Sequence, residues 1–192
     1  MKTVKRESNE LHHEILTAAA PFLKRHGIEG APVDQIMKAA GLTSGALYSR
    51  FKNKEDLCTQ VICGALDKML NGYRKIVRER GKEGLKLIVS QYLSTTHASD
   101  VPRGCTLAAL GAEMGKASAR AKRAYEPRIH ALVQIFVDGL GTGSEAERRA
   151  KAQHILSTML GALTFARAMN DADASHDFLS QVRSRVLREL EK

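Results

Sequence analysis

The sequence predicts an all-α protein. Apolar residues recur at helical spacing along almost all of its 192 residues, no run of alternating β-branched residues reads as a strand, and only four prolines interrupt the pattern. An apolar content of 43% is enough to bury one or two compact cores, so a small domain joined to a larger one fits the length.

The elements follow in order. Leu11, Ile15, Ala18, Ala19 and Phe22 form one helical stripe, with Ser8 or Asn9 placed to cap its start and Gly27 to end it. Val33, Ile36, Met37 and Ala40 make a shorter stripe, stopped by Gly41, and Ser44–Phe51 makes a third unit. Asn53 reads as an N-cap, with Glu55 and Asp56 in the first turn, where the helix dipole favours acids. From there Leu57, Val61, Leu66, Met69, Tyr73 and Val77 sustain a long helix to about Arg80, expected to be the only element running through both domains. Further helices are expected near 83–98, 104–116, 118–140, 144–170 and 175–191, with breaks at Pro102–Gly104 and Gly139–Gly143 and a kink or restart at Pro127.

Charge constrains less than it first suggests. The net charge is +9, which suits a polyanionic partner. Residues 1–56, however, hold nine Lys/Arg against seven Asp/Glu, a net of +2, so +7 lies in the rest of the chain. Three cysteines (Cys58, Cys63 and Cys105) at irregular spacing do not read as a disulfide framework, and no grouping of Cys, His or carboxylates points to zinc, another metal or a cofactor. Glu113 and Glu126 read as isolated, with no carboxylate pair for acid–base work. Residues 1–14 do not read as a secretory signal. The stretch Ala152–Ala166 lacks charge for 15 residues, short of the about 20 that a membrane span needs. A cytoplasmic location and no membrane partner are the expectation.

The informative segment is Val33 to Lys54. Two short amphipathic helices meet at Ala40-Gly41-Leu42-Thr43, the composition of a helix-turn-helix, in which the second helix enters the DNA major groove. Gly41 can take the left-handed conformation that turns the chain. Thr43 or Ser44 can cap the second helix and leave its first amides facing phosphate. Residues 43–54 carry three cations (Arg50, Lys52, Lys54) and no acid.

The run Gly41-Leu42-Thr43-Ser44-Gly45-Ala46-Leu47-Tyr48-Ser49-Arg50-Phe51, followed by Lys54-Glu55-Asp56-Leu57, resembles the signature of the tetracycline-repressor (TetR/AcrR) family. The resemblance covers about residues 8–68. It implies an N-terminal three-helix DNA-binding domain over 8–68 and a C-terminal helical bundle for ligand sensing and dimerisation over 69–192. It implies a homodimeric regulator that is not an enzyme, usually a repressor, released from a double-stranded DNA operator by a small effector. The apolar middle helices favour a hydrophobic or amphipathic one. It implies DNA contacts from Thr43, Ser44, Gly45, Tyr48, Arg50 and Lys54, with Tyr48 and Lys54 on phosphates and Arg50 where many members have His. Pro32 and Val33 depart from it, replacing the usual Thr at the start of the second helix, so the side chain that would cap the helix and touch phosphate is missing.

In the second domain, expectations are coarser. Tyr92, His97, Leu107, Met114, Tyr125 and Phe136 are candidates for an effector pocket, and Leu156, Leu160, Leu163, Val182 and Val186 for a dimer interface. Plain core is the competing reading for each set. Cys105 follows Arg103-Gly104 at a helix start, where dipole and cation favour a reactive thiolate. It is thus a candidate redox or electrophile sensor, against the bland reading of a buried small side chain. The rival classes are a helical enzyme using Cys105 and a dimeric scaffold.

Overall fold

The computed structural model of the chain describes residues 2–43 and 50–191, and among these there are eight helices and no strand. They are α1 (Lys2–His26), α2 (Val33–Ala39), α3 (Lys54–Tyr92), α4 (Thr95–Ser99), α5 (Thr106–Lys116), α6 (Ala119–Leu140), α7 (Glu145–Ala168) and α8 (Ala172–Glu191).

α1 begins at Lys2, ahead of the expected cap at Ser8 or Asn9; nothing in residues 2–8 is a helix breaker. α2 starts after Pro32, extended at φ −61° and ψ 145°, and no side chain caps it, as its sequence implies. Its end is a Schellman motif: Gly41 adopts φ +73°, its N–H bonds the Lys38 carbonyl, and the Leu42 N–H bonds the Met37 carbonyl, both at 2.9 Å. Leu42 and Met37 belong to one apolar cluster, the hydrophobic contact that accompanies this motif. Asn53 caps α3, its Oδ1 accepting from the Asp56 N–H at 2.9 Å, while Asp56 Oδ2 takes the Lys52 N–H at 2.9 Å. That backbone hydrogen bond is the main reason the Asp56 carboxyl sits below its ordinary pKa.

α3 breaks where the sequence ends its long helix. Gly81 has φ +53° and ψ −128° inside the otherwise helical span. The helix expected at 83–98 is divided instead: α3 runs on to Tyr92, and Ser94 caps the separate short α4, its Oγ accepting from the His97 N–H. α6 runs through Pro127 as one helix, without the expected restart. Pro127 withholds the N–H that would bond the Arg123 carbonyl. Next to it Arg128 places Nη1 on the Ala124 carbonyl at 2.7 Å and Nη2 on Asp67 at 2.7 Å, pinning this turn to α3.

Two cores form. The first joins Ile15, Ala19 and Leu23 of α1, Ile36 and Met37 of α2, Phe51, and Leu57, Val61 and Ile62 of α3 to Leu110 and Met114 of α5 and Tyr125 of α6. The second packs Leu85 and Ile88 of α3, Leu132 and Phe136 of α6, Ile155 and Leu163 of α7, and Leu179, Val186 and Leu190 of α8. Burying a side chain of this size fully is worth about 1.5–3 kcal/mol. Two expected pocket residues, Met114 and Tyr125, thus pack beneath α1–α3, and Phe136, with no exposed surface, is core. Cys58 and Cys63 are buried packing residues, and burial pushes the Cys58 thiol up to about 11. No helix of the described residues is long and apolar enough to cross a membrane.

Candidate nucleic-acid interface and effector cavity

The candidate reading head lies where α2 closes and α3 begins. Ser44, Gly45 and Tyr48 lie outside the described residues. Of the other expected DNA contacts, Thr43 is exposed and Arg50 and Lys54 are half-buried, bracketing the segment. Lys54 opens α3, and its Nζ meets the Glu29 carbonyl only at 3.5 Å, a long contact that leaves the ammonium available to another acceptor. Below the head, His12 stacks on Phe51 with ring centroids 5.2 Å apart and bonds Gln60 Oε1 at 3.0 Å, fixing α1 against the start of α3.

A cavity of about 290 Å³ opens within the second unit. Its walls are mostly apolar: Met69 and Tyr73 from α3, Leu107 from α5, Leu132 and Val133 from α6, and Met159 from α7. Gln153 and Ser157 give it a few polar groups, and the exposed Ile129 is also on its wall. Small-molecule sites have this mix of apolar wall and sparse polar anchors. Of the six pocket candidates, Tyr92 and Leu107 are on the wall, and Cys105 joins them.

The dimer candidates divide differently. Leu156 and Leu160 line this cavity, while Leu163 and Val186 have no exposed surface within a single chain and so cannot touch a partner. Val182 is half-buried against the second core. Exposed apolar side chains on this side are Phe165, 66% accessible, and Met169, with Phe178 meeting the Phe165 ring at a centroid distance of 6.2 Å.

His97 does not line the cavity but holds its wall. Its Nδ1–H donates to the Tyr92 carbonyl at 2.7 Å, and its Nε2 accepts the Cys105 N–H at 2.9 Å, an arrangement that requires the neutral ring. Burial lowers its pKa most; the bond to the Tyr92 carbonyl and Asp100 oppose this, and Arg167 and Lys24 act with it. Arg167 secures the same loop, donating from Nε to the Ala98 carbonyl and from Nη2 to the His97 carbonyl. Because the folded pKa lies below the unfolded value of 6.5, the folded state binds fewer protons here between the two. This contribution to stability is complete above about pH 6.5 and is lost as pH falls through that window to the folded value. Urea midpoints should therefore drop on acidification below about pH 6.5 more steeply for the wild type than for His97→Gln; equal slopes would contradict the role assigned to the ring.

α5 connects cavity to reading head, so α3 is not the only element spanning both. Cys105 at its N-cap and its Leu107 are on the cavity wall, while Leu110 and Met114 sit in the first core. Two polar ties secure it to the end of α1. Lys24 Nζ donates to the Gly104 carbonyl at 2.9 Å, and Glu113 Oε2 accepts the N–H groups of Ile28 and Glu29 at 2.6 and 3.1 Å. Gly27 makes the second tie possible. It adopts φ +75°, and a Cβ there would stand 2.6 Å from Glu113 Oε1. Gly41 has the same backbone sense with nothing within 4 Å of its missing Cβ. Gly41→Ala should therefore cost only the left-handed backbone penalty, about 1–2 kcal/mol. Gly27→Ala should cost that plus about 1.5–3 kcal/mol for the displaced carboxylate bonds. Equal losses by denaturant titration would show that the Glu113 tie contributes nothing. Local sequence reading misses these ties because the partners lie 80–85 residues apart; a glycine followed by two uncapped amides at the end of α1 is the one signal it offers.

Glu126, read from sequence as isolated, stands 3.6 Å from His130 one turn on, a single exposed pair. Among the described residues no three potential ligands cluster to hold a metal ion.

Comparison with known proteins supports the same architecture. The family model of bacterial regulatory proteins of the tetR family matches residues 15–61. The transcriptional repressor KstR2 of Rhodococcus jostii is 38% identical over 64 residues, 33% of this chain and 31% of that protein. The fatty acid metabolism regulator protein of Bacillus subtilis is 29% identical over 83 residues, 42% of this chain and 43% of that protein. The matched segments thus span between about a third and a half of these relatives' lengths. Among solved structures, reduced E. coli NemR superposes with a TM-score of 0.77 at 16% identity, covering 92% of this chain and 95% of that one. B. subtilis FadR in complex with stearoyl-CoA gives 0.69 at 22% identity over 92% and 96%. Those likenesses speak to fold: a helix-turn-helix unit followed by a helical bundle along nearly the whole chain. With the family match on residues 15–61 and that fold behind it, the chain is similar to the tetR family of bacterial regulatory proteins.

Proposed function

We propose that the chain is a homodimeric, cytoplasmic transcriptional repressor, not an enzyme, that binds a DNA operator and leaves it when a hydrophobic or amphipathic small molecule enters the cavity. The observation that carries this reading is one helix, α5, with its first turn on the cavity wall and its last turns in the core under the reading head. An effector that binds one position of α5 better than the other shifts the population of DNA-competent chains; equal affinity would shift nothing. The relatives bear on effector class, since FadR of B. subtilis was solved with stearoyl-CoA, an amphipathic thioester. The exposed Phe165 and Met169, with the half-buried Phe178 against the Phe165 ring, supply the apolar face for the second copy.

The reading is tested at the phosphate grip. Lys54→Ala and Tyr48→Phe should weaken binding to all DNA sequences alike, because phosphate contacts position without specifying. Lys54→Ala should also flatten the dependence of log K on log salt by about 0.9 for each phosphate it no longer neutralises. A changed base preference at unchanged affinity would contradict it.

A second reading has its own observation. Cys105 lies on the cavity wall, so an apolar electrophile bound there would meet its Sγ. With an α,β-unsaturated carbonyl, an S–C bond forms at the β-carbon, the C=C bond is reduced to a single bond, and the thiol proton ends on the α-carbon. Release of Cys105→Ser from DNA by such a compound, as fast as wild type, would remove this version.

A further inference from the structure

We infer that the start of α6, with the residue that closes α5, is a second DNA-contacting surface, in which Lys116, Lys122 and Arg123 grip phosphates flanking those held by the helix-turn-helix. The inference rests on the DNA-binding reading above and extends it beyond the reading head.

The register of two helices carries the argument. α6 packs along α3 in parallel. The Ser118 N–H reaches Glu55 Oε1 at 3.2 Å, Arg120 Nη2 reaches Asp56 Oδ1 at 3.3 Å, the Tyr125 hydroxyl reaches Thr59 at 3.4 Å, and Arg128 reaches Asp67 at 2.7 Å. Both chains climb away from the same end of the molecule. α3 begins there at Lys54, so the first turn of α6 stands level with the residue expected to hold a phosphate. The second domain is therefore not set back from the DNA side along its whole length. Its α5–α6 corner comes down to it.

The chemistry of that corner fits one partner. Residues 116–123 read KASARAKR, four cations and no acid. Lys116, Lys122 and Arg123 are exposed. Arg120 is held by Asp56 and Ser118 caps the helix, its Oγ accepting from the Ala121 N–H, which fixes the corner without neutralising the other three. The side chains of those three form no ion pair or hydrogen bond among the described residues. Ala121 and Tyr125 turn the opposite face of the helix into the first core, so the cations cannot rotate away from the surface. This also gives a place to part of the +7 charge that lies beyond residue 56. A polyanion with closely spaced charges, lying under the start of α3, is duplex DNA.

The test compares two exposed triple variants of equal charge change, Lys116→Gln/Lys122→Gln/Arg123→Gln and, some twenty residues further up α3, Lys75→Gln/Arg78→Gln/Arg80→Gln. Binding of each and of the wild type to a mixed-sequence duplex and to a duplex from the chain's own upstream DNA is followed from about 50 to 200 mM salt. The corner triple should reduce the slope of log K against log salt by about 0.9 for every phosphate each protomer releases, equally on both duplexes. The α3 triple should leave the slope close to wild type. Equal slopes for the two triples would reduce the corner to a share of the general field and overturn the inference. So would a corner triple that binds like wild type. No salt-dependent binding by the wild type itself would instead remove the DNA-binding reading on which the inference stands.

Discussion

Phe136→Ala should cost about 3–5 kcal/mol of stability, the range for emptying a large aromatic from a closed core. Phe136 is among the largest side chains with no exposed surface, packed where α3, α6 and α7 converge. Domains of this kind have about 5–15 kcal/mol in total, so the variant should sit near the edge of folding at physiological temperature. Tyr92→Phe, on the cavity wall, deletes only a hydroxyl and its hydrogen bond with Cys105 and should lose far less. Urea titration of the two variants separates core from cavity. A loss under about 1 kcal/mol for Phe136→Ala would place that ring against accessible space, as the sequence alone suggested.

Charge placed on α7 should have three outcomes by position. Leu163→Glu buries an unpaired carboxylate in the second core and should unfold the chain. Leu160→Glu puts the carboxylate into the cavity, so the dimer should survive while apolar effectors lose their site. Phe165→Glu, at a side chain 66% accessible in one chain, should yield monomers that lose operator affinity, because one protomer reads only half a site. Sedimentation velocity distinguishes the last two. A monomeric Leu160→Glu with an intact Phe165→Glu dimer would move the interface from the Phe165 face to the cavity side.

What was legible in the sequence follows the reach of each physical signal. Helix ends set by local chemistry could be read directly: the Schellman turn at Gly41, the Asn53 cap, the break after Arg80 and the corner at Gly139–Gly143 each depend on a few adjacent residues. The resemblance to the tetR family was legible because Gly41, Tyr48, Phe51 and Lys54 stand at a spacing that few other arrangements share. Facing directions in the second unit were not. α7 is apolar on more than one side, with Leu156 and Leu160 turned to the cavity, Leu163 to the core and Phe165 outward, so periodicity could not say which stripe met which neighbour. Met114 and Tyr125 were assigned to the pocket because they lie on middle helices, yet the end of α5 and the start of α6 stand beside the reading head and serve its core. Pro127 was a break by local rules, and Arg128, through its bonds to Ala124 and Asp67, ties that turn to α3.

A paired reading head on DNA is tested most directly by fluorescence anisotropy with the chain's own upstream duplex and a scrambled duplex of equal length. Two chains, or a multiple of two, should saturate the upstream duplex. Its affinity should exceed that for the scrambled duplex by about a thousandfold or more at physiological salt. Equal affinity for both duplexes, or saturation by a single chain, would contradict it.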